Sequence, residues 1–371
     1  MEILDTNTRL TALDVLRGLT IAAMIMVNTP GSWSYVYWPF LHAEWHGFTP
    51  TDAIFPFFLF IVGVSIHFAF KKFNPEEHKK AFKKIIKRTL IIFAIGLFLN
   101  LFPKFNFDTV RIFGVLQRIA IAYVIGASLC LLLNKRSLIY ITIGILLLYW
   151  GLLYFLVPEN PFGPQTNLVG KIDLFLLDPK HVWKGLGFPF DPEGLLSSLP
   201  SVATVIIGNL VGRLLTNSNS NFKRVKSLFI YGFALIVIGW IWGYGFPINK
   251  SLWTSSYVCV SAGLAMVVLA SLIWIIDIGG LIKWSKPFIH FGTNSLFIFV
   301  FSGLYVRLMI YLIKITSAQG ETINGYQYIY TKLFVPIAGN MNGSLLFAIT
   351  HIIFFWSFVY VLFKKKIFIK I

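Results

Sequence analysis

Residues 51–72 read TDAIFPFFLFIVGVSIHFAFKK. Between Asp52 and Lys71 stand 18 residues without an Asp, Glu, Lys or Arg. As a helix rising about 1.5 Å per residue, that run covers roughly 27 Å, close to the ~30 Å hydrocarbon core of a bilayer. A membrane span is the economical reading, with an acid at one end and lysines at the other. Working outward, similar runs recur at 14–30, 86–102, 112–133, 138–157, 196–215, 226–246, 253–276, 288–314 and 344–363. With 52–70 they make about ten spans. The expected fold is an all-α, polytopic transmembrane helical bundle in a single domain over 1–371.

Composition agrees. Hydrophobic residues make up 57% of the 371 and charged residues 13%, against about 25% charged in soluble domains. Mean hydropathy is +0.74. The net charge of +17 would raise nucleic acid in a soluble protein, but here the basic residues cluster at span ends. Arg9, the run from Lys71 and Lys72 to Lys87 and Arg88, Lys135, Arg136, Arg213, Lys223, Arg224, Lys226, Lys283, Lys286, Lys364 to Lys366 and Lys370 fall on one side. They number 21, against 8 on the other side (Lys104, Arg111, Lys171, Lys180, Lys184, Lys250, Lys314 and Lys332). Excess Lys and Arg marks the cytoplasmic side, so both termini are expected there. Cys130 and Cys259 lie in apolar runs without metal-ligand spacing, so neither a disulfide framework nor a metal site is expected. The first apolar run has no small-residue cleavage motif behind it and is expected to stay as a span.

Two non-cytoplasmic connections stand out. Residues 30–51, PGSWSYVYWPFLHAEWHGFTPT, carry no Lys or Arg and suit an interfacial segment. Residues 158–195 form the longest loop, and their aromatic content argues for order. An ionisable group inside hydrocarbon is costly unless paired or facing a polar cavity. Asn28, His42, Glu44, His46, Asp52, Arg111, Asp191, Glu193, Trp253, Ser255 and Tyr257 fall on the outer side, and Asp14, Arg17, His290 and Asn294 toward the cytoplasm. Arg118, Arg307 and His351 lie deeper. Asp14 and Arg17, three apart on a helix, can neutralise each other. Arg111 and Arg118, seven apart, are expected on one helix face, with Arg118 meeting a carboxylate, carbonyls or a bound anion. His42 is the first candidate for chemistry. Imidazole can take a proton from a nucleophile and return it to a leaving group, and either Glu44 or Asp52 could fix its tautomer. The bland alternative is an interfacial histidine bonded within its loop.

The strings RLTALDVLRGLTIAAMIMVN (9–28), LHAEWHGFTPTDAIFPFFLFIVGVSI (41–66), RIFGVLQRIAIAY (111–123), DPEGLLSSLPSVATVIIGNLVGRLL (191–215), FPINKSLWTSSYV (246–258), GTNSLFIFV (292–300) and KKKIFIKI (364–371) resemble the heparan-α-glucosaminide N-acetyltransferase family. The resemblance runs in order over almost the whole chain. It implies a membrane acyltransferase that moves acetyl from cytoplasmic acetyl-CoA to an amino sugar or glycan across the membrane. The family's catalytic histidine, in its HA-W-G segment, falls on His42. Its asparagine at the end of the first helix falls on Asn28, and its T-x-x-D aspartate on Asp52. Arg17, Arg118, Asn294, Ser255 and Trp253 are the expected acetyl-CoA contacts. The animal enzymes carry an extra N-terminal luminal region, a longer, cysteine-containing loop before DPEG, and a histidine where this chain reads FVFSGL near Ser302. A bacterial-type homologue in the inner membrane follows as the expectation. Lipid is its surroundings, a homodimer is admitted, and nucleic acid is no partner. The rival class is a secondary transporter of a sugar-like or anionic solute, but the two halves show no internal repeat.

Overall fold

A computed structural model describes residues 10–71, 73–218, 220–316 and 322–369. The helices are α1 Thr11–Asn28, α2 Ile54–Phe70, α3 His78–Leu101, α4 Val115–Leu132, α5 Lys135–Leu156, α6 Leu168–Leu176, α7 Ser198–Asn217, α8 Asn221–Trp242, α9 Ser255–Leu272, α10 Lys286–Thr293, α11 Ser295–Arg307, α12 Gly325–Ile329 and α13 Val335–Lys364. A small antiparallel hairpin, β1 Lys314–Thr316 with β2 Thr322–Asn324, is the one sheet among the described residues. The expected all-α polytopic bundle is what the chain forms. Arg9, Lys72 and Lys370, counted in the charge asymmetry, lie outside the described residues.

Nine helices among the described residues are long and apolar enough to cross a membrane. They correspond to nine of the ten expected spans. The tenth, expected at 86–102, is α3. It is a 24-residue helix, but Lys83, Lys84, Lys87 and Arg88 occupy its first half, so its apolar stretch is confined to 89–101. Arg88 lays its guanidinium 4.9 Å from the Tyr123 ring centre, the kind of long-stem contact that lets a basic residue sit at a span end. Two other expectations are redrawn. The run 288–314 breaks at Asn294 into α10 and α11. The last span begins earlier than 344, and Gly339, at φ 71, interrupts it.

Small residues let the central helices meet closely. A Cβ on Gly63 of α2 would run into the Val205 carbonyl of α7, and one on Gly208 of α7 into the Phe60 carbonyl of α2. This reciprocal backbone contact is the packing that membrane helices use in place of a hydrophobic drive. Around it a continuous core joins α1, α2, α4, α7 and α9, including Leu16, Phe60, Ile206, Trp253 and Tyr257. The outward faces of α5 and α8 remain apolar and exposed, for instance at Leu148, Tyr154, Ile238 and Trp240. That exposure suits lipid contact.

The loop 158–195 is ordered, as its aromatic residues suggested. It holds α6 and a 3-10 turn at Pro179–His181. Trp45 donates its indole N–H to the Phe162 carbonyl at 2.8 Å and packs edge-on against Phe190. The loops 30–51 and 158–195 are thereby one layer, covering the end of the bundle where α2 begins.

Candidate active site

The T-x-x-D segment starts α2 and sets the geometry of everything near it. Pro50–Ala53 is a 3-10 turn leading into the helix, with Thr49 at its N-cap. Asp52 Oδ2 accepts the Thr49 N–H at 3.0 Å and the Ala43 N–H at 3.1 Å. A carboxylate at this position stabilises the turn by satisfying the free N–H groups of a helix start. Its second oxygen, Oδ1, is left for His42 Nδ1, 2.7 Å away. Asp52 is 1% exposed, whereas the His42 side chain is 48% exposed. A buried, fully bonded carboxylate thus holds one nitrogen of an accessible imidazole, and the tautomer with Nδ1–H toward Asp52 leaves Nε2 with a lone pair.

A lysine completes the cluster. Lys250, in the turn before α9, brings Nζ to 3.0 Å from His42 Nδ1, 3.2 Å from Nε2 and 3.7 Å from Asp52 Oδ1. Its side chain is 21% exposed. Burial draws its pKa below the ordinary lysine value, against the opposing pull of Asp52 and Glu193. Neighbouring bonds fix the turn that carries it. Asn249 Oδ1 accepts the Leu252 N–H at 2.7 Å, and its amide nitrogen lies 3.3 Å from His46 Nδ1.

His42, Lys250 and Glu193 line a cavity of about 230 Å³ together with Asn28, Thr51, Phe55, Phe58 and apolar residues of α1, α4 and α11. Asn28, at the end of α1, also lines an adjoining chamber of about 510 Å³ that includes Trp33, Asn100, Gln117, Trp183 and Arg307. Among the described residues its side-chain amide has no hydrogen bond. The two chambers share Met24, Val115, Leu116 and Phe299 as a common wall.

The remaining candidates occupy other positions. Arg118 is fully buried, with its guanidinium 4.8 Å from the Trp253 ring centre and bonded to the Ser197 hydroxyl. Trp253 packs edge-on against Phe55, so both stand one layer behind the cavity wall. Ser255 donates to the Leu146 carbonyl at 2.7 Å, tying α9 to α5. Arg17 meets Asp14 at 3.0 Å, as their spacing suggested, and also reaches the Ser65 hydroxyl at 2.9 Å. Asn294 pairs with the C-terminal segment, donating to the Ile367 carbonyl at 3.1 Å and accepting from the Ile369 N–H at 2.8 Å. Glu44 is exposed, and Asp52 is the acid that meets His42.

The expectation that Arg111 and Arg118 share a helix face is corrected. Arg111 precedes α4 in an extended segment, because Asn100 holds the Arg111 and Phe113 carbonyls at 2.8 and 3.3 Å. It forms a two-point pair with Asp191 at 2.9 and 2.6 Å and a third bond to Glu193 at 2.5 Å. Burial opposes its charge, but Glu193 and Asp191 prevail and raise its pKa. The clamp fixes Glu193 at the rim of the His42 cavity.

A family model for the catalytic region of heparan-alpha-glucosaminide N-acetyltransferase matches residues 9–242. The chain belongs to this family. Among curated N-acetyltransferase relatives, heparan-alpha-glucosaminide N-acetyltransferase of Mus musculus is 29% identical over 99% of this chain and 61% of its own length. The Homo sapiens protein of the same name is 28% identical over 98% of this chain and 60% of its own length. The chain therefore spans about three-fifths of the length of these relatives. The family match includes Asn28, His42, Asp52 and Glu193, whereas Lys250 lies beyond its end. Lys250 is a cavity residue beside His42 that no motif of the sequence marks as part of the site. Its signal was present, as a lone basic residue between FPIN and SLW, but no local pattern ties it to His42 208 positions away.

Proposed function

We propose that the protein transfers an acetyl group from acetyl-CoA to an amino sugar or glycan at the outer side of the membrane. The observation that carries this reading is the His42–Asp52 pair at the mouth of a cavity that reaches between α1, α2, α4 and α11. With Nδ1–H held by Asp52, Nε2 of His42 is the base. It removes a proton from the acceptor amine as nitrogen attacks the thioester carbonyl, and returns it to the departing thiolate. In the resting arrangement Lys250 stands 3.2 Å from Nε2, a position the incoming amine takes over. The oxygen that becomes negative in the tetrahedral intermediate needs donors. Asn28 and the Lys250 ammonium supply them, and a cation in a partly dry site is worth more there than in water.

The donor enters from the basic side and its acetyl end reaches His42. Arg118, Trp253 and Ser255 hold the wall behind Phe55, while Arg17 and Asn294 brace the opposite end of the bundle. Their part in donor binding is to shape its path. In this orientation both termini are cytoplasmic, α3 is the tenth span, and the membrane is a bacterial inner membrane. Family membership supports an N-acetyltransferase, and the T-x-x-D geometry supports histidine base catalysis. The direct test is acetyl-CoA turnover by the purified protein against a panel of amino sugars. Release of free CoA that depends on an amino sugar and yields the acetylated sugar sustains the reading. Solute accumulation in proteoliposomes without CoA consumption would replace it with transport.

A further inference from the structure

A second concave polar site lies at the other end of α2. His42 and its cavity meet α2 at Ile54, Phe55 and Phe58, whereas this cleft meets it at Ile66, His67 and Phe70. The two sets are roughly 18 Å apart along the helix and about a third of a turn apart around it. The close α2–α7 packing at Gly63 and Gly208 lies at the intervening level. The cleft encloses about 400 Å³ and is lined by Lys71, Lys135, Arg213, His67, His78 and Asn209 among others, with no aspartate or glutamate among the described lining residues.

Its cations come from three separate elements: the end of α2, the start of α5 and the last turns of α7. Lys71 and Lys135 are exposed at the rim, and Arg213 is half-buried at the wall. Arg213 is held in place, its Nε donating to Asn209 Oδ1 at 3.0 Å and one terminal nitrogen to the Cys130 and Leu133 carbonyls at 2.9 and 3.2 Å. Those acceptors are neutral, and the other terminal nitrogen has no hydrogen bond among the described residues. None of the three cations takes part in an ion pair among the described residues. Lysines scattered at a span end need no ligand to explain them. A fixed arginine in a concave wall with two lysines at its rim, and no acid to balance them, is a different arrangement. It offers the positive charge and the N–H donors that a phosphate group calls for.

We propose that this cleft binds a phosphate group, with Arg213 as the fixed donor and Lys71 and Lys135 neutralising the charge. The phosphate belongs either to an anionic phospholipid headgroup or to a soluble nucleotide. The proposal stands apart from the acyl-transfer reading, since binding is measured without acceptor and without turnover.

The test uses the full chain, purified in detergent and stripped of lipid. Two probes are titrated separately: adenosine 3′,5′-bisphosphate, and phosphatidylglycerol with phosphatidylcholine as the neutral control. Binding is read by native mass spectrometry and by thermal midpoint. The wild type is expected to bind at least one probe in preference to phosphatidylcholine. The Lys71→Gln/Lys135→Gln double variant, altered only at exposed side chains, is expected to bind about tenfold or more weakly. Arg213→Gln is expected to lose binding as well, and its thermal midpoint without probe reports any loss of the α4–α7 tie. Preference for the bisphosphate makes the ligand a soluble nucleotide, and preference for phosphatidylglycerol makes it a lipid. Binding of neither probe, or equal binding by wild type and double variant, overturns the proposal.

Discussion

His42 Nδ1 and Asp52 Oδ1 stand 2.7 Å apart although the two residues are ten positions apart in the chain. The distance follows from the helix start. Asp52 is placed by the N–H groups of Thr49 and Ala43, so its second oxygen points at a fixed spot, and the Leu41 carbonyl, bonded to the Thr49 hydroxyl at 2.7 Å, brings His42 to that spot. One short motif thus folds the loop, starts α2 and orients the imidazole.

The dual duty of Asp52 sets the outcome of its substitution. Asp52→Asn is expected to lower acetyl transfer by about 10³–10⁴-fold through loss of the correct tautomer. It is also expected to cost roughly 1–3 kcal/mol of stability, since an amide nitrogen facing the Thr49 and Ala43 donors leaves them unsatisfied. Acetyl-CoA affinity, measured by thermal shift, should stay within a few-fold of wild type. A variant that transfers acetyl at the wild-type rate contradicts the positioning role.

Removal of Arg111 leaves Asp191 and Glu193 without their cation at a buried site. Breaking a buried pair on one side typically costs about 3–5 kcal/mol. Arg111→Gln is therefore expected to reduce the thermal midpoint sharply, and Arg111→Lys to recover only part, because an ammonium lacks the two-point fit. An unchanged midpoint in Arg111→Gln would show that the clamp is not structural.

Asp173 offers a pH signature. It lies in α6, outside the spanning helices, with Oδ1 accepting the Leu195 N–H at 2.9 Å and Oδ2 buried without a partner. Burial raises its pKa to about 7. The folded state then holds a proton that the unfolded chain releases near pH 4, so this stability is complete below about pH 4 and is lost as pH rises toward 7 and beyond. The loss is on the order of 4 kcal/mol. The difference in stability between Asp173→Asn and wild type should accordingly grow in favour of the variant from pH 5 to pH 8. A pH-independent difference would show that Asp173 does not titrate in this range.

Orientation is open to chemical labelling. Single cysteines introduced in 158–195 should react with an impermeant thiol reagent on intact cells, and those in 71–88 should not, in line with the distribution of 21 and 8 basic residues. The reverse pattern would turn the acceptor side inward.

Much of this arrangement is legible in the sequence wherever the controlling interactions are local. Apolar runs of one bilayer thickness disclose the helices, the Asp14–Arg17 spacing discloses their pairing, and T-x-x-D discloses the start of α2. Lys250 and the Arg111 clamp are of another kind. Each depends on a loop delivered from a distant part of the chain, 208 positions from His42 in one case and 80 from Asp191 in the other. Nothing in local periodicity encodes such meetings. Arg111 misled for a related reason: its spacing to Arg118 fits a helix, but the Asn100 side chain holds the intervening backbone out of one. The bonds of Asn294 to the C-terminal segment were hidden likewise.

The central claim is that His42 is the base. Its most direct measurement compares His42→Ala with His46→Ala, two exposed histidines of one loop, in acetyl transfer from labelled acetyl-CoA to an amino sugar. His46 meets Asn249 at 3.3 Å, and among the described residues no carboxylate bonds to it. His42→Ala is expected to lose about 10²–10⁴-fold in rate while folding and retaining acetyl-CoA binding. His46→Ala is expected to keep most of the activity. An inactive His46→Ala beside a fully active His42→Ala would contradict the assignment.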